Sequence, residues 1–141
     1  MANVHSLFVE SRWIGADLST IAAQELGPYS ARGRVRIEGP AILLEPNTAQ
    51  AFAVALHELA TNAAKYGSLC SNNGQVALKW DHGADRELVL RWTETGGPPA
   101  EPPTRKGFGS RVIVGLIKQL KGTVRFDWHR SGLVCEISIR V

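Results

Sequence analysis

Apolar residues recur along this chain with two alternating spacings, helical and strand-like, and the switches between them outline its elements. Leu18, Ile21, Ala22 and Leu26 make a helical stripe behind Asp17, a capping residue, and Gly27-Pro28 ends it. Residues 34–38 alternate basic and apolar, and after Gly39-Pro40 comes Ile42-Leu43-Leu44, which predicts two short strands around a turn. A long helix is predicted over 48–66, with Gly67 as its C-terminal cap. Residues 76–80 and 87–93 alternate as strands, joined across the polar stretch 81–86 as a hairpin.

The segment 96–106 differs in kind. It holds Gly96 and Gly97, four prolines and almost no apolar side chain, so it predicts a long functional loop or lid. A helix is predicted from Gly107-Phe108-Gly109-Ser110 to about 120, burying Val112, Ile113, Leu116, Ile117 and Leu120. Residues 123–128 and 133–141 close the chain as a hairpin turning at Arg130-Ser131-Gly132. Hairpins separated by helices predict an α+β fold. Its expected form is a two-layer α/β sandwich, with a mixed, mostly antiparallel sheet covered on one face by helices. There are no internal repeats.

Composition narrows the function classes. The chain has 141 residues, 44% hydrophobic and 21% charged, enough for one domain with a core. A net charge of +3, with scattered basic residues, argues against a nucleic-acid partner. Cys70 and Cys135 stand far apart with no C-x-x-C, so free thiols and a cytoplasmic location are expected, and a zinc site is not. No secretory signal and no apolar run of membrane-spanning length is present, so direct membrane contact is not expected. Leu7, Phe8 and Trp13 in residues 4–14 need a partner surface, either this domain or an upstream one.

Three short patterns carry candidate chemistry. In His57-Glu58-Leu59-Ala60-Thr61-Asn62-Ala63-Ala64-Lys65-Tyr66-Gly67, residues Glu58, Asn62 and Lys65 share one helical face, opposite Phe52, Leu56, Leu59 and Ala63. A carboxylate and an amide can hold a hard cation, and a lysine can hold phosphate. On spacing alone, a solvated face is the preferred reading, and His57 alone reads as a packing or hydrogen-bonding residue. In Trp92-Thr93-Glu94-Thr95-Gly96-Gly97, residues Leu88, Leu90, Trp92 and Glu94 share the core-facing side of a strand. A carboxylate there needs a partner, such as the exocyclic amine of adenine or a salt bridge, and Trp92 reads as a core aromatic. Gly96 and Gly97 allow close approach of a flat ring. Gly107-Phe108-Gly109-Ser110 at a helix start can face an anion, with Arg105 and Lys106 beside it as phosphate contacts or solvated charges. The chain has no P-loop pattern.

In this order, with a proline-rich lid between the second and third patterns, the chain resembles the catalytic ATP-binding domain of histidine kinases. That domain lies within the superfamily that includes gyrase, Hsp90 and MutL. It is similar to the HWE subfamily, named for a histidine in the N box and a W-x-E in the first glycine box; here these are His57 and Trp92-Thr93-Glu94. Gly107-Phe108-Gly109-Ser110-Arg111 is similar to the second glycine box, and the likeness runs over roughly 11–141.

The resemblance implies a Bergerat-type sandwich over 15–141, with 1–14 as a remnant of the connection to an absent dimerisation domain. It implies ATP and Mg²⁺ as cofactors, with Asn62 ligating the metal. Glu58 would orient a metal-bound water or assist the acceptor histidine. Lys65 and Tyr66 would lie at the nucleotide, Glu94 would read adenine, and Gly96, Gly107 and Gly109 would shape the pocket. His57 is a further catalytic candidate, marked by the subfamily. The implied partners are an upstream phosphoacceptor histidine domain and a response regulator, in a homodimeric full-length protein. His5, His82 and His129 lack the flanks of an acceptor, so this chain alone is expected to bind Mg-ATP without phosphorylating itself. Rival readings are a serine kinase acting on an anti-sigma antagonist, an ATP-gated clamp, and a docking module that binds no nucleotide.

Overall fold

In the structure, a computed structural model, residues 16–100 and 110–141 are described. The expectations for residues 1–15 and 101–109 lie outside them.

Two sheets form. The larger has the order β2-β4-β5-β7-β6, with β2 Val35–Glu38, β4 Gln75–His82, β5 Glu87–Thr95, β6 Thr123–His129 and β7 Gly132–Arg140. The pair β2–β4 is parallel and the other three pairs are antiparallel, so the mixed, mostly antiparallel sheet is as expected. Burial alternates along β4, β5 and β7, as a sheet with one covered face requires. Its inner row is Val76, Leu78, Trp80, Leu88, Leu90, Trp92, Leu133, Cys135, Ile137 and Ile139, all buried. The outer row is mostly polar, with Ala77, Val89 and Val134 as its apolar members. Arg91 sits directly opposite Glu136, with Nε 3.7 Å from Oε2, an exposed pair worth ~1 kcal/mol or less.

The β4–β5 hairpin turns at Asp85 and Arg86, both at positive φ (52° and 61°), the geometry that matches the twist of paired strands. The second hairpin turns at Arg130-Ser131, as expected. On β6, Phe126 and Trp128 project to the same side and their rings stack, with centroids 6.0 Å apart and planes 13° from parallel.

The two short strands expected around Gly39-Pro40 are present, and they do not pair with each other. β2 pairs in parallel with β4, whereas β3 Leu43–Leu44 pairs with β1 Ala16–Asp17 in a separate two-stranded sheet. The link between them crosses the end of the large sheet. Trp80 Nε1 donates to the Pro40 carbonyl at 2.8 Å, and a Cβ on Gly39 would fall 2.2 Å from the Trp80 ring. A glycine there marks a close crossing over an indole, a role that sequence alone cannot separate from a turn.

Helices cover the inner face. α1 Leu18–Leu26 starts at Asp17, whose carboxylate accepts the Ser19 N–H at 3.0 Å. α2 Pro46–Lys65 carries proline in its first turn and packs against both α1 and α3 Ser110–Gln119. Being flanked on two sides, it buries more than one stripe. Ala49, Ala51, Ala53, Ala55, Ala60 and Ala63 are buried beside Phe52, Leu56 and Leu59, and their small side chains let neighbouring elements approach. α3 buries only Ile113 and Ile117. Leu116 and Leu120 are half-buried and Val112 is exposed, because one edge of this helix meets the core and the rest faces outward. α2 ends as expected before Gly67, but without a left-handed cap. Gly67 has φ −110°, and its N–H bonds back to the Asn62 and Ala63 carbonyls.

Cys135 lies opposite Trp92 on one side and Phe126 on the other. Burial, with the nearby charges of Glu94 and Glu136 adding, pushes its thiol up to about 12, whereas Cys70 is exposed. Only the thiolate attacks an electrophile. Labelling with a thiol-reactive disulfide at pH 8 is therefore expected to modify Cys70 alone in the native chain, and both cysteines once it is unfolded. Prompt native labelling of Cys135 would contradict this packing.

Candidate functional site

The polar stripe of α2 forms one wall of the candidate site. Glu58, Asn62 and Lys65 follow one another along it. Glu58 and Asn62 are half-buried, Lys65 is exposed, and Tyr66 ends the helix largely exposed. Hydrogen bonds of the last turn, including Tyr66 N–H to the Asn62 carbonyl at 2.8 Å, hold this end rigid.

Glu94 closes the site at the end of β5. It faces inward, as the alternation predicts, and is only 4% exposed. Its carboxylate is already engaged. Ser68 N–H donates to Oε1 at 2.9 Å and Trp92 Nε1–H donates to Oε2 at 3.0 Å. The W-x-E pattern is thus an indole and a carboxylate joined on one strand face. The partner of Glu94 within the fold is a pair of neutral donors and not a cation, which the sequence reading had not considered.

Close backbone approaches surround this carboxylate. A Cβ on Gly67 would lie 2.2 Å from Glu94 Oε1, and one on Gly132 would lie 2.0 Å from the Glu94 carbonyl oxygen. Gly96 has φ +76° and leaves no room for a side chain against the Asn73 carbonyl, 2.3 Å from the would-be Cβ. Gly97 similarly abuts the Ser68 backbone. The sequence reading gave Gly96 and Gly97 to the close approach of a flat ring; among the described residues the close approach at both is to the backbone of the segment after α2. Ser110, first residue of α3, is half-buried. Arg105, Lys106, Gly107, Phe108 and Gly109 lie outside the described residues.

Three residues of this region escaped the sequence reading. Ser68 supplies the backbone donor to Glu94, and its own hydroxyl is buried without a hydrogen-bond partner among the described residues. Arg34 clasps the segment after α2 by donating to the carbonyls of Gly74 (3.0 Å), Leu69 (3.2 Å) and Ser71. Glu25 is buried on α1, and its Oε1 lies 3.2 Å from Nδ1 of His57. A signal for Glu25 was available, since it stands seven residues after Leu18 on the same apolar stripe, where a carboxylate demands a partner. Nothing comparable marks Arg34, whose partners are backbone carbonyls, or Ser68, which donates through its own backbone N–H.

His57 thus points at α1, and this contact joins two helices. The sequence candidates for a divalent cation, Asn62 and Glu58, lie one turn apart on α2. Among the described residues there is no group of three or more His, Cys, Asp or Glu side chains that could cage a metal. One amide and one carboxylate suit Mg²⁺ held partly by a ligand's own phosphates, the usual way proteins bind it. The unpartnered Ser68 hydroxyl is the kind of buried atom that a ligand or water completes.

The fold is shared with solved histidine kinases. The histidine kinase domain of the blue-light activated histidine kinase from Erythrobacter litoralis superposes with a TM-score of 0.70 at 20% identity, over 86% of this chain and 58% of that one. The catalytic domain of histidine kinase ThkA gives 0.67 at 14% identity, over 89% and 94%. These likenesses define the class, a histidine kinase catalytic-domain fold.

The HWE histidine kinase family model matches residues 1–41. A blue-light-activated histidine kinase of Brucella anthropi is 32% identical over 97% of this chain, and its counterpart in Brucella ovis is 29% identical over the same share. The chain is thus similar to HWE histidine kinases along nearly its whole length, and it spans 29% of the length of those curated relatives.

Removing His57 leaves the buried Glu25 carboxylate without its partner. His57→Ala is expected to destabilise the domain by ~1–3 kcal/mol in urea denaturation, and Glu25→Gln in the same background to recover part of that loss. Strict additivity of the two changes would show that the contact carries no coupling.

Proposed function

We propose that this chain is the ATP-binding catalytic domain of a two-component sensor histidine kinase, transferring the γ-phosphoryl of ATP to a histidine on a separate helical domain. The observation that carries the reading is the pairing of the Glu58-Asn62-Lys65 stripe on α2 with a buried, inward-facing Glu94 at the end of β5. The first can meet metal and phosphate and the second a purine amine. The shared fold and the likeness to HWE kinases support it.

Mg-ATP supplies the phosphoryl group and neutralises its charge when bound. The chain's own residues hold and orient. Asn62 and Glu58 would hold the metal, Lys65 would meet phosphate oxygens, and Arg105 and Lys106 are further phosphate candidates by sequence. Tyr66 and Ser110 would meet the phosphates, and Gly107, Phe108 and Gly109 join them as candidates through the likeness to the second glycine box alone. Glu94 accepts from the adenine amine, with Gly96 and Gly97 as the close-approach positions beside it. Glu58 also holds the N–H of the incoming imidazole, which makes its other nitrogen a better nucleophile. His57 sets the position of Glu58 by fastening α2 to α1. The partners in this reading are a phosphoacceptor histidine domain and a response regulator, within a homodimer in the cytoplasm. No helix of the described residues is long and apolar enough to cross a membrane.

Calorimetric titration of ATP tests the site. Binding is expected to strengthen with Mg²⁺ in the wild type by about tenfold or more, and to lose that dependence in Asn62→Ala. Absence of binding in the wild type, or an unchanged Mg²⁺ response in the variant, would overturn the assignment. With γ-labelled ATP, the chain alone is expected to acquire no phosphohistidine, and a stable acid-labile label would contradict that.

A further inference from the structure

Glu94 raises a question of aim. A glutamate carries one more side-chain torsion than an aspartate, so a carboxylate that selects a purine edge from this position must be stopped from turning. The structure contains the stop. Trp92 and Glu94 lie two residues apart on the inner face of β5, the indole ring is fully buried, and Nε1–H donates to Oε2 at 3.0 Å. Ser68 N–H holds Oε1 at 2.9 Å. Gly67 and Gly132 crowd the same residue, one at its carboxylate and the other at its backbone. A carboxylate has about four acceptor directions, and these two donors occupy one on each oxygen. What remains for a ligand is therefore fixed in direction.

We propose that Trp92 is a positioning residue for purine selection, its indole N–H holding the Glu94 carboxylate so that the remaining lone pairs meet a 6-amino purine and repel a 6-oxo purine. This rests on the adenine-reading role given to Glu94 above. It explains why a tryptophan accompanies the glutamate at this spacing. The ring fills the core, and its single polar atom is used to aim a neighbour.

The test compares Mg²⁺-loaded ATP and GTP binding by calorimetry in the wild type, Trp92→Phe and Glu94→Gln. It also uses a variant carrying 3-benzothienylalanine at position 92, which keeps the ring shape and replaces N–H by sulfur. Thermal denaturation checks that each is folded. Loss of a hydrogen bond to a charged group is expected to weaken ATP by about tenfold while GTP changes by less than about twofold, so the ATP-to-GTP ratio collapses. A merely structural tryptophan would weaken both nucleotides together. A benzothienyl variant with the wild-type ratio overturns the proposal, and it decides the matter if Trp92→Phe fails to fold. Failure of the underlying reading looks different. In that case the wild type shows no purine preference, or Glu94→Gln leaves the ratio unchanged.

Discussion

Glu94 is an acidic side chain removed from water at the end of a core strand, and the surrounding structure is arranged around the cost of that removal. A buried carboxylate is tolerated when donors replace its hydration. Here the donors come from two directions, an indole on the same strand and a backbone N–H from the segment after α2. To bring that segment close enough, side chains must be missing at Gly67, Gly96 and Gly97. To keep it there, Arg34 takes three of its carbonyls. The segment 67–74 is thus gripped by an acid that accepts from its start and a base that donates along its length.

α2 has two demands on one cylinder. It lies between α1 and α3 and must bury side chains on two flanks and beneath, which its alanines permit. It must also present a polar edge. Helical geometry keeps these apart, because residues three and four apart stay on one side. The His57–Glu25 contact fastens α2 to α1 at the level of Glu58, the next residue along.

Much of this was legible in the residues. The helix around 48–66, both long hairpins and the inward aim of Glu94 follow from apolar spacing, which depends on local geometry alone. The partners of the two strands around Gly39-Pro40 could not be read, because pairing is set by tertiary packing: β2 finds β4 only after the chain has passed through α2. Val112 was misplaced for a related reason, since an apolar residue on a helix says nothing about how wide its buried face is. Of the site, the stripe on α2 and the W-x-E residues could be named from sequence. The Ser68 donor to Glu94 and the clasp of Arg34 could not, because a backbone N–H and a side chain reaching distant carbonyls leave no mark in residue type.

The parallel pairing of β2 with β4 has a consequence for how the domain assembles. The hairpins β4–β5 and β6–β7 close short loops and can zip locally, whereas Val35 reaches Val76 only by closing a loop that contains all of α2. Closing long loops costs entropy before any contact rewards it, and such pairings form late. On that order, docking of β2 would close the helix against a sheet that already exists, and α2 would reach its final seat near the end of folding. Kinetic analysis of substitutions at Val35 and Ile37 would read this order as low φ-values beside higher ones in the β4–β5 hairpin.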